Sequence, residues 1–181
     1  MTTINEQYRL VGRSKENLRA DNDFYPTPNW VSEILVRHHC FNGEIWECAC
    51  GDGKLATVLE QNGYKVIATD LNDYNYGKSG IDFLLEAKTA APNIVTNPPF
   101  KLAYEFINHG WELIEQNLAL LLPLRYLAGQ KRSVFYKQNP PRKIIVIAKK
   151  IDFLGNGNPV MEFAWFVWEK NYKGKTELIW A

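Results

Sequence analysis

EIWECACGDGKLATVLEQNGYKVIATDL, residues 44–71, has the pattern of a strand, a helix and a second strand. The apolar run 44–50 ends in a glycine-rich turn, and 54–63 then has the apolar spacing of a helix that Gly63 closes. The next apolar run, 64–71, follows the helix directly. Two strands joined through a helix run parallel in one sheet, so this stretch predicts an α/β fold.

The rest of the chain continues this alternation of strands and helices. Predicted helical segments are 27–39, 81–87 (short helix or turn), 101–116 and the basic stretch 127–138. Further predicted strands are 93–96, 118–122, 143–148 and 161–170. The last two strands lack a helix between them and should form an antiparallel hairpin at one edge. We expect a doubly wound, mostly parallel sheet.

The first of these helices has a start signature in Thr27 and Pro28. Threonine is a favoured N-cap, and proline is favoured at the first helical position. We therefore expect the Thr27 hydroxyl to cap this helix. Residues 1–23 are polar without clear periodicity and are expected to form an arm, with one domain over 24–181.

Composition indicates a globular protein of the reducing cytoplasm. Of the 181 residues, 46% are hydrophobic and 13% aromatic, and no apolar run approaches the roughly 20 residues of a membrane span. The start MTTINEQYRL lacks the basic-then-apolar pattern of a secretion signal. Three cysteines provide no disulfide framework, and we expect a cytoplasmic location without membrane contact.

Charge is unevenly distributed although the net charge is only +1. The window between Gln116 and Ile151 contains eight basic residues and no Asp or Glu. Such asymmetry favours a polyanionic partner, although a solvated helix face beside an ordinary loop has the same composition.

The glycine turn after the first strand indicates a ligand. Gly51 and Gly53 would let the backbone approach a ligand closely, and Asp70 at the end of the next strand could accept hydrogen bonds from both ribose hydroxyls. A nucleoside-containing cofactor is therefore expected, with NAD and S-adenosylmethionine both open. Glu47 favours the latter, because a carboxylate would repel a pyrophosphate but suit a cationic amino-acid end. An acid at a sheet edge is the alternative for Glu47.

The cysteines do not predict a metal site. Cys48 and Cys50 supply two thiolates, but His38, His39 and Cys40 lie at no familiar zinc spacing from them. We expect no metal and small, buried cysteines.

The stretch IVTNPPF, residues 94–100, ends another predicted strand. Two prolines fix φ and remove N–H donors, so a rigid loop offers the Asn97 side-chain carbonyl and the Pro98 backbone carbonyl as acceptors. With Phe100 as a stacking face, this suits a planar exocyclic amine whose nitrogen attacks an electrophilic methyl group. A rigid turn is the plainer interpretation.

These motifs together resemble the S-adenosylmethionine-dependent amino-methyltransferases. The order YPTP (25–28), ECACGDG (47–53), ATDL (68–71), IDF (81–83) and NPPF (97–100) is most similar to the small, often phage-encoded N6-adenine DNA methyltransferases. The resemblance covers about residues 21–170, and NPPF is its most specific element. It implies a seven-stranded Rossmann-like methyltransferase fold with S-adenosylmethionine as cofactor and DNA as partner.

The resemblance also implies residue roles. Residues expected to bind the cofactor are Tyr25, Pro26 and Thr27 over its methionine end, Glu47, Gly51 and Gly53 along it, Asp70 at the ribose, and Asp82 and Phe83 beside its adenine. Residues expected to hold the target base are Asn97, Pro98, Pro99 and Phe100, with Phe153 as a further wall. Asp82 could equally be a plain helix cap.

The chain departs from larger restriction-type relatives because 24–181 leaves no room for a separate target-recognition domain. Phosphate contacts are expected from the basic window, with Arg125, Lys131 and Arg132 as candidates. The basic window does not separate DNA from RNA. Methylation of cytosine N4, of RNA or of protein glutamine, and a non-catalytic nucleic-acid-binding module, stay open, and so does the oligomeric state.

Overall fold

The structure, a computed structural model, describes residues 24–153, 155, 157, 159 and 161–181. The predicted arm at 1–23 lies outside the described residues. The α-helices in the described part of the chain are α1 (Asn29–His38), α2 (Lys54–Gln61), α3 (Ala103–Leu113) and α4 (Gln130–Gln138). The strands are β1 (Ile45–Glu47), β2 (Val66–Ala68), β3 (Asn93–Thr96), β4 (Asn117–Pro123), β5 (Lys143–Val146), β6 (Phe163–Glu169) and β7 (Glu177–Trp180). Short 3-10 turns lie at Phe83–Leu85 and Leu124–Leu127.

Within the described residues, the strands form one seven-stranded sheet in the order β2-β1-β3-β4-β6-β5-β7. β1 pairs in parallel with β2 and β3, and β3 pairs in parallel with β4. β6 is antiparallel to both of its neighbours, β4 and β5. The predicted α/β class, the mostly parallel sheet and the antiparallel pairing of the two predicted closing strands are confirmed.

The outermost strand beyond β5 was not predicted. β7 pairs in parallel with β5 and takes the edge of the sheet, so the β5–β6 pair lies one strand inside it. The prediction that 161–170 holds the last strand is therefore wrong. β7 is only four residues long and mostly exposed, and its apolar run, Leu178–Trp180, is too short to mark a strand in the sequence.

Helices cover both faces of the sheet, because successive strand residues point to opposite sides. Along β4, Ala119 and Leu121 belong to one buried cluster with α1 and α2, whereas Leu118, Leu120 and Leu122 belong to the other, with α3. All seven residues of β4 are buried, as predicted for an apolar run in the middle of a sheet.

Close contact between α3 and β4 depends on Gly110. A Cβ at this position would lie 2.9 Å from Leu118 Cδ1, so a larger residue would push the helix away from the strand. Glycine is a poor helix former, and at position 110 its small size serves this packing.

The elements are shorter than predicted at the site-facing ends. β1 ends at Glu47 rather than at residue 50, because the chain turns at Cys48. α1 begins at Asn29 after Pro28, and no side chain caps its first turn. The predicted N-cap role of Thr27 is therefore wrong, since its hydroxyl bonds to another segment described below. No helix in the described part of the chain is long and apolar enough to cross a membrane.

Candidate active site

The candidate site lies where the path of the chain across the sheet reverses. β2 lies on one side of β1 and β3 on the other, so a crevice opens at the carboxyl ends of β1 and β3. Glu47 is the last residue of β1, and Asn97 follows β3 directly. Two motifs that are 50 residues apart in the sequence thus become neighbours.

A cavity of about 380 Å³ occupies this crevice. Predicted site residues that line it are Tyr25, Pro26, Thr27, Glu47, Gly51, Asp70, Asp82, Phe83, Asn97 and Pro99. Gly53, Pro98 and Phe100 are predicted site residues that do not line it. Leu71, Asn72 and Lys101, which the sequence reasoning did not single out, also contribute to the wall.

Asp70 ties the glycine turn to the end of β2. Its Oδ2 accepts a hydrogen bond from the Gly51 N–H at 2.9 Å, and its Oδ1 accepts one from the Asn72 N–H at 2.8 Å. Both carboxylate oxygens keep capacity for a further donor. Asp70 thus shapes the turn, a role that its position in the sequence alone does not reveal.

Aromatic rings cover both glycines of the turn. Gly51 and Gly53 have φ of +52° and +79°, in the left-handed region that favours glycine. A Cβ at Gly51 would lie 2.5 Å from the Phe24 ring, and one at Gly53 would lie 2.4 Å from the Tyr76 ring. Neither Gly53 nor Tyr76 lines the cavity.

The ring over Gly51 is itself stacked. Phe24 lies 4.2 Å from the ring of Tyr74, with the two planes 16° apart. Both residues line the cavity, and neither was predicted. The sequence does offer one signal for Tyr74. Two tyrosines stand in the polar loop after Asp70, and aromatic residues in a polar loop indicate packing against another part of the chain.

Glu47 is a buried carboxyl with an incomplete set of partners. Its side chain is 2% exposed, the Ala56 backbone N–H donates to it, and its Oε2 has no hydrogen-bond partner among the described residues. Burial raises the pKa of Glu47 well above its ordinary value of 4.5, and the nearby charge of Asp70 raises it further. A cationic group entering the cavity would offset this penalty.

The Asn97 amide is held in one orientation. Its Nδ2 donates to the Tyr25 backbone carbonyl at 3.0 Å and to Thr27 Oγ1 at 3.1 Å. A backbone carbonyl can only accept, so the nitrogen must face Tyr25. Asn97 Oδ1 is then buried without a partner among the described residues, in a side chain that lines the cavity.

Phe100 belongs to a packed aromatic group rather than to the cavity wall. Its side chain is 8% exposed, and its ring lies 5.3 Å from Phe163 and 6.0 Å from Phe153. Tyr25 stacks on it at 5.2 Å. Phe153, predicted as a further wall, contacts Tyr25 and Phe163 in the same group.

Asp82 and Phe83 lie at the cavity but also have structural roles. Asp82 Oδ1 accepts from the Leu84 N–H at 3.0 Å and caps the 3-10 turn, as the plainer interpretation predicts. Phe83 is buried and packs 4.7 Å from Phe106 and 5.3 Å from Trp46, ring to ring.

The basic window is less positive in space than in sequence. Arg142 forms an ion pair with Glu169, and Lys150 lies 3.1 Å from Glu162. Both acids come from outside the window. These two ion pairs lower the net positive charge of the surface that the basic window forms.

The predicted phosphate-binding residues differ in their surroundings. Arg132 donates to the backbone carbonyls of Ala128 and Arg125, and its guanidinium lies 4.7 Å from the ring of Tyr126. It therefore holds the segment before α4 in place. Arg125 and Lys131 are exposed beside it.

Cys48 and Cys50 line the cavity, whereas His39 lies at the opposite edge of the sheet, beside the first residue of β4. Cys48 and Cys50 are buried, and burial raises the pKa of the Cys50 thiol to about 12. Burial, together with the charge of Lys143, lowers the pKa of His39 to about 4, and its ring bonds to Asn117 Oδ1 at 3.2 Å. Among the described residues, no group of three His, Cys, Asp or Glu side chains could hold a metal ion.

No protein-family model matches the chain, and no curated protein matches it. Solved structures do. A protein assigned as an RNA methyltransferase from Pyrococcus horikoshii is 15% identical, with a TM-score of 0.65 over 96% of this chain and 100% of that one. The chain has a Rossmann-like methyltransferase fold.

Two further structures share this methyltransferase fold. The modification subunit assigned to a type I restriction enzyme from Vibrio vulnificus YJ016 is 15% identical, with a TM-score of 0.56 over 96% of this chain and 48% of that one. This chain therefore spans about half the length of that subunit. Magnesium protoporphyrin IX methyltransferase from Synechocystis PCC 6803, solved with bound S-adenosylmethionine, is 14% identical, with a TM-score of 0.50 over 92% of this chain and 90% of that one.

Proposed function

We propose that the chain transfers a methyl group from S-adenosylmethionine to the exocyclic N6 amine of adenine in DNA. The observation that carries this proposal is Asn97 Oδ1, a buried carbonyl oxygen without a partner among the described residues, in a side chain that lines the cavity. An unmade hydrogen bond of this kind costs about 1–3 kcal/mol. An N–H donor on a ligand would recover it.

The cavity residues fit the cofactor. Bound S-adenosylmethionine would supply a methyl group already activated by its sulfonium sulfur. Glu47 would pair with the ammonium end, regaining its charge, and Asp70 would accept the ribose hydroxyls with its remaining lone pairs. Gly51 leaves room for close backbone approach. Residues that would complete the cofactor site are Tyr25, Pro26 and Thr27 over the methionine end, Gly53 behind the turn, and Asp82 and Phe83 beside the adenine.

The loop at 97–100 would hold the target amine. Asn97 Oδ1 and the Pro98 carbonyl would accept its two N–H groups, which favours a pyramidal nitrogen with its lone pair directed away from them. Both carbonyl dipoles would also stabilise the positive charge that develops on nitrogen as the new N–C bond forms and the methyl–sulfur bond breaks. The sulfur would leave as a neutral thioether, and the methylated nitrogen would lose one proton to water. Pro99 keeps the loop rigid. Phe100 would stack on the base only after Tyr25 gives up its face.

Nucleic acid is the favoured substrate class. Arg125 and Lys131 are exposed cations in a window without acidic residues in the sequence, and Arg132 would support them by holding their segment. The fold neighbours assigned to RNA methylation and to a restriction-modification system support this choice. We propose 24–181 as a single catalytic domain.

The decisive experiment offers one radioactive donor to several acceptors. Purified protein is incubated with S-adenosylmethionine tritiated on its methyl group and with DNA, RNA or protein, and the label in each acceptor is counted. Labelled DNA is then digested to nucleosides. We expect the label in N6-methyldeoxyadenosine, and about 100-fold slower labelling with the Asn97→Ala variant.

Other outcomes assign the chain to the alternatives. Label in cytosine N4, in RNA or in protein glutamine would replace the proposed substrate while keeping the reaction type. A chain that binds DNA but transfers no methyl group to any acceptor, and whose DNA binding survives Asn97→Ala, would be a non-catalytic binding module.

A further inference from the structure

The segment before α1 contains a hydroxyl, that of Thr27, which does not cap the helix. Thr27 is 5% exposed, and its hydroxyl accepts a hydrogen bond from Asn97 Nδ2 at 3.1 Å. It lies next to the helix start, yet no side chain caps α1. A favoured capping residue has therefore been used for a contact with a residue 70 positions later in the chain.

Both partners of this contact belong to stiff stretches of backbone. Thr27 stands between Pro26 and Pro28, and Asn97 is followed directly by Pro98 and Pro99. Proline fixes φ and restricts the residue before it, so neither segment can adjust its backbone easily. A hydrogen bond between two such segments therefore fixes the orientation of the Asn97 side chain.

The contact decides which way round the Asn97 amide lies. Its nitrogen has two N–H groups, and the Tyr25 carbonyl and the Thr27 hydroxyl accept from it on the same side. Turning the amide over would place Oδ1 against the Tyr25 carbonyl, where two acceptors would repel each other. The unpartnered Oδ1 is therefore held in the position opposite these two groups.

We propose that Thr27 is a positioning residue for methyl transfer, which with the Tyr25 carbonyl orients the Asn97 amide so that Oδ1 accepts from the target amine. This inference rests on the proposed function. The same pair of contacts makes position 97 selective for an amide, because a carboxylate there would place an oxygen against the Tyr25 carbonyl.

The test compares Thr27→Val, which keeps the shape but removes the acceptor, with Thr27→Ser, which keeps the hydroxyl. Single-turnover methyl transfer and the Kd for S-adenosylmethionine are measured for each. We expect Thr27→Val to slow transfer at saturating cofactor about tenfold, the effect of one lost hydrogen bond, and to weaken cofactor binding by a clearly smaller factor. Thr27→Ser should stay within about twofold of the wild type in both.

Three results would overturn the positioning role. In the first, the wild type is active and Thr27→Val is equally active. In the second, Thr27→Val loses cofactor affinity in proportion to its loss of rate. In the third, Thr27→Ser is as slow as Thr27→Val. Only a wild type without transfer to any acceptor would also remove the proposed function. Thr27→Ala is measured in parallel, with the same expectation, so that an unfolded Thr27→Val variant still leaves a result.

A second measurement does not depend on turnover. Hydrogen exchange of the Asn97 side-chain amide, followed by NMR, should accelerate in Thr27→Val because one N–H loses its acceptor, and should be restored in Thr27→Ser. Unchanged exchange in Thr27→Val would contradict the orientation itself.

Discussion

The ring of Tyr25 lies 5.2 Å from the ring of Phe100, and the two planes are 16° apart. Phe100 is therefore already stacked, although the sequence suggests an open platform for a base. The same residue, Tyr25, offers its backbone carbonyl to Asn97. Tyr25 thus contacts the loop at 97–100 through both its ring and its main chain. A substrate ring that displaced the Tyr25 side chain would therefore lie next to the hydrogen bond that orients Asn97.

Phe100 should matter to stability as well as to activity. Phe100→Ala removes a buried ring from its contacts with Tyr25, Phe153 and Phe163, so we expect the free energy of unfolding to fall by about 3 kcal/mol and Tm by roughly 6–12 °C. Denaturant and thermal unfolding measure this. Leu85→Ala is the control: its side chain is 81% exposed, and the change should be below about 0.5 kcal/mol. Equal effects of the two substitutions would contradict the packing described.

Asn97 should act on rate rather than on cofactor binding. Asn97→Ala removes the carbonyl acceptor, so we expect kcat to fall about 100-fold while the Kd for S-adenosylmethionine stays within about threefold. Steady-state kinetics and calorimetry separate the two. Asn29→Ala, at an exposed position in the first turn of α1, should change neither. A loss of cofactor affinity equal to the loss of rate would assign Asn97 to the cofactor site instead.

Asp70 should require both carboxylate oxygens. Asp70→Asn keeps one acceptor but turns an NH₂ group toward either the Gly51 or the Asn72 N–H, so we expect a loss of about 1–2 kcal/mol in stability and at least tenfold weaker cofactor binding. Asp73→Asn is a matched control. Asp73 accepts one backbone N–H, from Asn75, and the amide oxygen of asparagine can replace that acceptor. Normal cofactor affinity in Asp70→Asn would remove Asp70 from the site.

Glu47 should make the ligand-free protein less stable as the pH rises. Its pKa is raised on folding, so between its ordinary value of 4.5 and the raised value the native state binds more protons than the unfolded state, and stability falls through that window. Glu47→Gln removes this dependence. We expect the variant to be more stable than the wild type near neutral pH, by on the order of 1 kcal/mol, with the difference vanishing below about pH 4.5.

The same substitution should weaken binding of a cationic ligand. Tm is measured for both proteins from about pH 4 to pH 8, without and with S-adenosylmethionine. The cofactor should raise Tm much less in Glu47→Gln. Glu33→Gln, at an exposed position of α1, is the control and should behave as the wild type. A Glu47→Gln variant that is less stable at neutral pH would show that Glu47 is a paired acid.

Lys131 and Arg132 should differ in their effects on DNA binding. Lys131→Ala should lower the slope of log K against log salt by about one and leave Tm unchanged, because Lys131 is exposed. Arg132→Ala should lower Tm, because it removes the bonds to Ala128 and Arg125. Lys175→Ala, exposed near β7, is the control for charge alone. Fluorescence anisotropy over a salt series measures the slope, and an equal slope change in Lys175→Ala would place the contact surface elsewhere.

Local patterns predict those parts of the molecule that depend on neighbours in the sequence. The alternation of strands and helices fixes the sheet class, and the apolar run in β4 predicts burial on both faces, because both follow from residues close together in the chain. Glycines after a strand likewise predict a turn at the cavity, which Gly51 confirms.

Contacts between distant segments are what sequence reasoning misses. A threonine before a helix suggests a cap, and no local pattern indicates that Thr27 instead meets Asn97. Phe24 and Tyr76 cover the glycines from two different segments, so the need for glycine is visible while the reason for it is not. Similarly, Phe100 is predicted as a stacking face for a base, and the aromatic rings that already cover it come from distant parts of the chain.

The insertion of β6 between β4 and β5 has a consequence for synthesis in the cell. A nascent chain that has emerged only as far as β5 carries β4 with one edge open, because the seven residues that pair with it, Phe163–Glu169, are still to be translated. An unpaired edge of a mostly apolar strand recruits other chains. Ribosomes that stall after β5 should therefore release a product that aggregates, and chaperones should be needed until the sixth strand arrives.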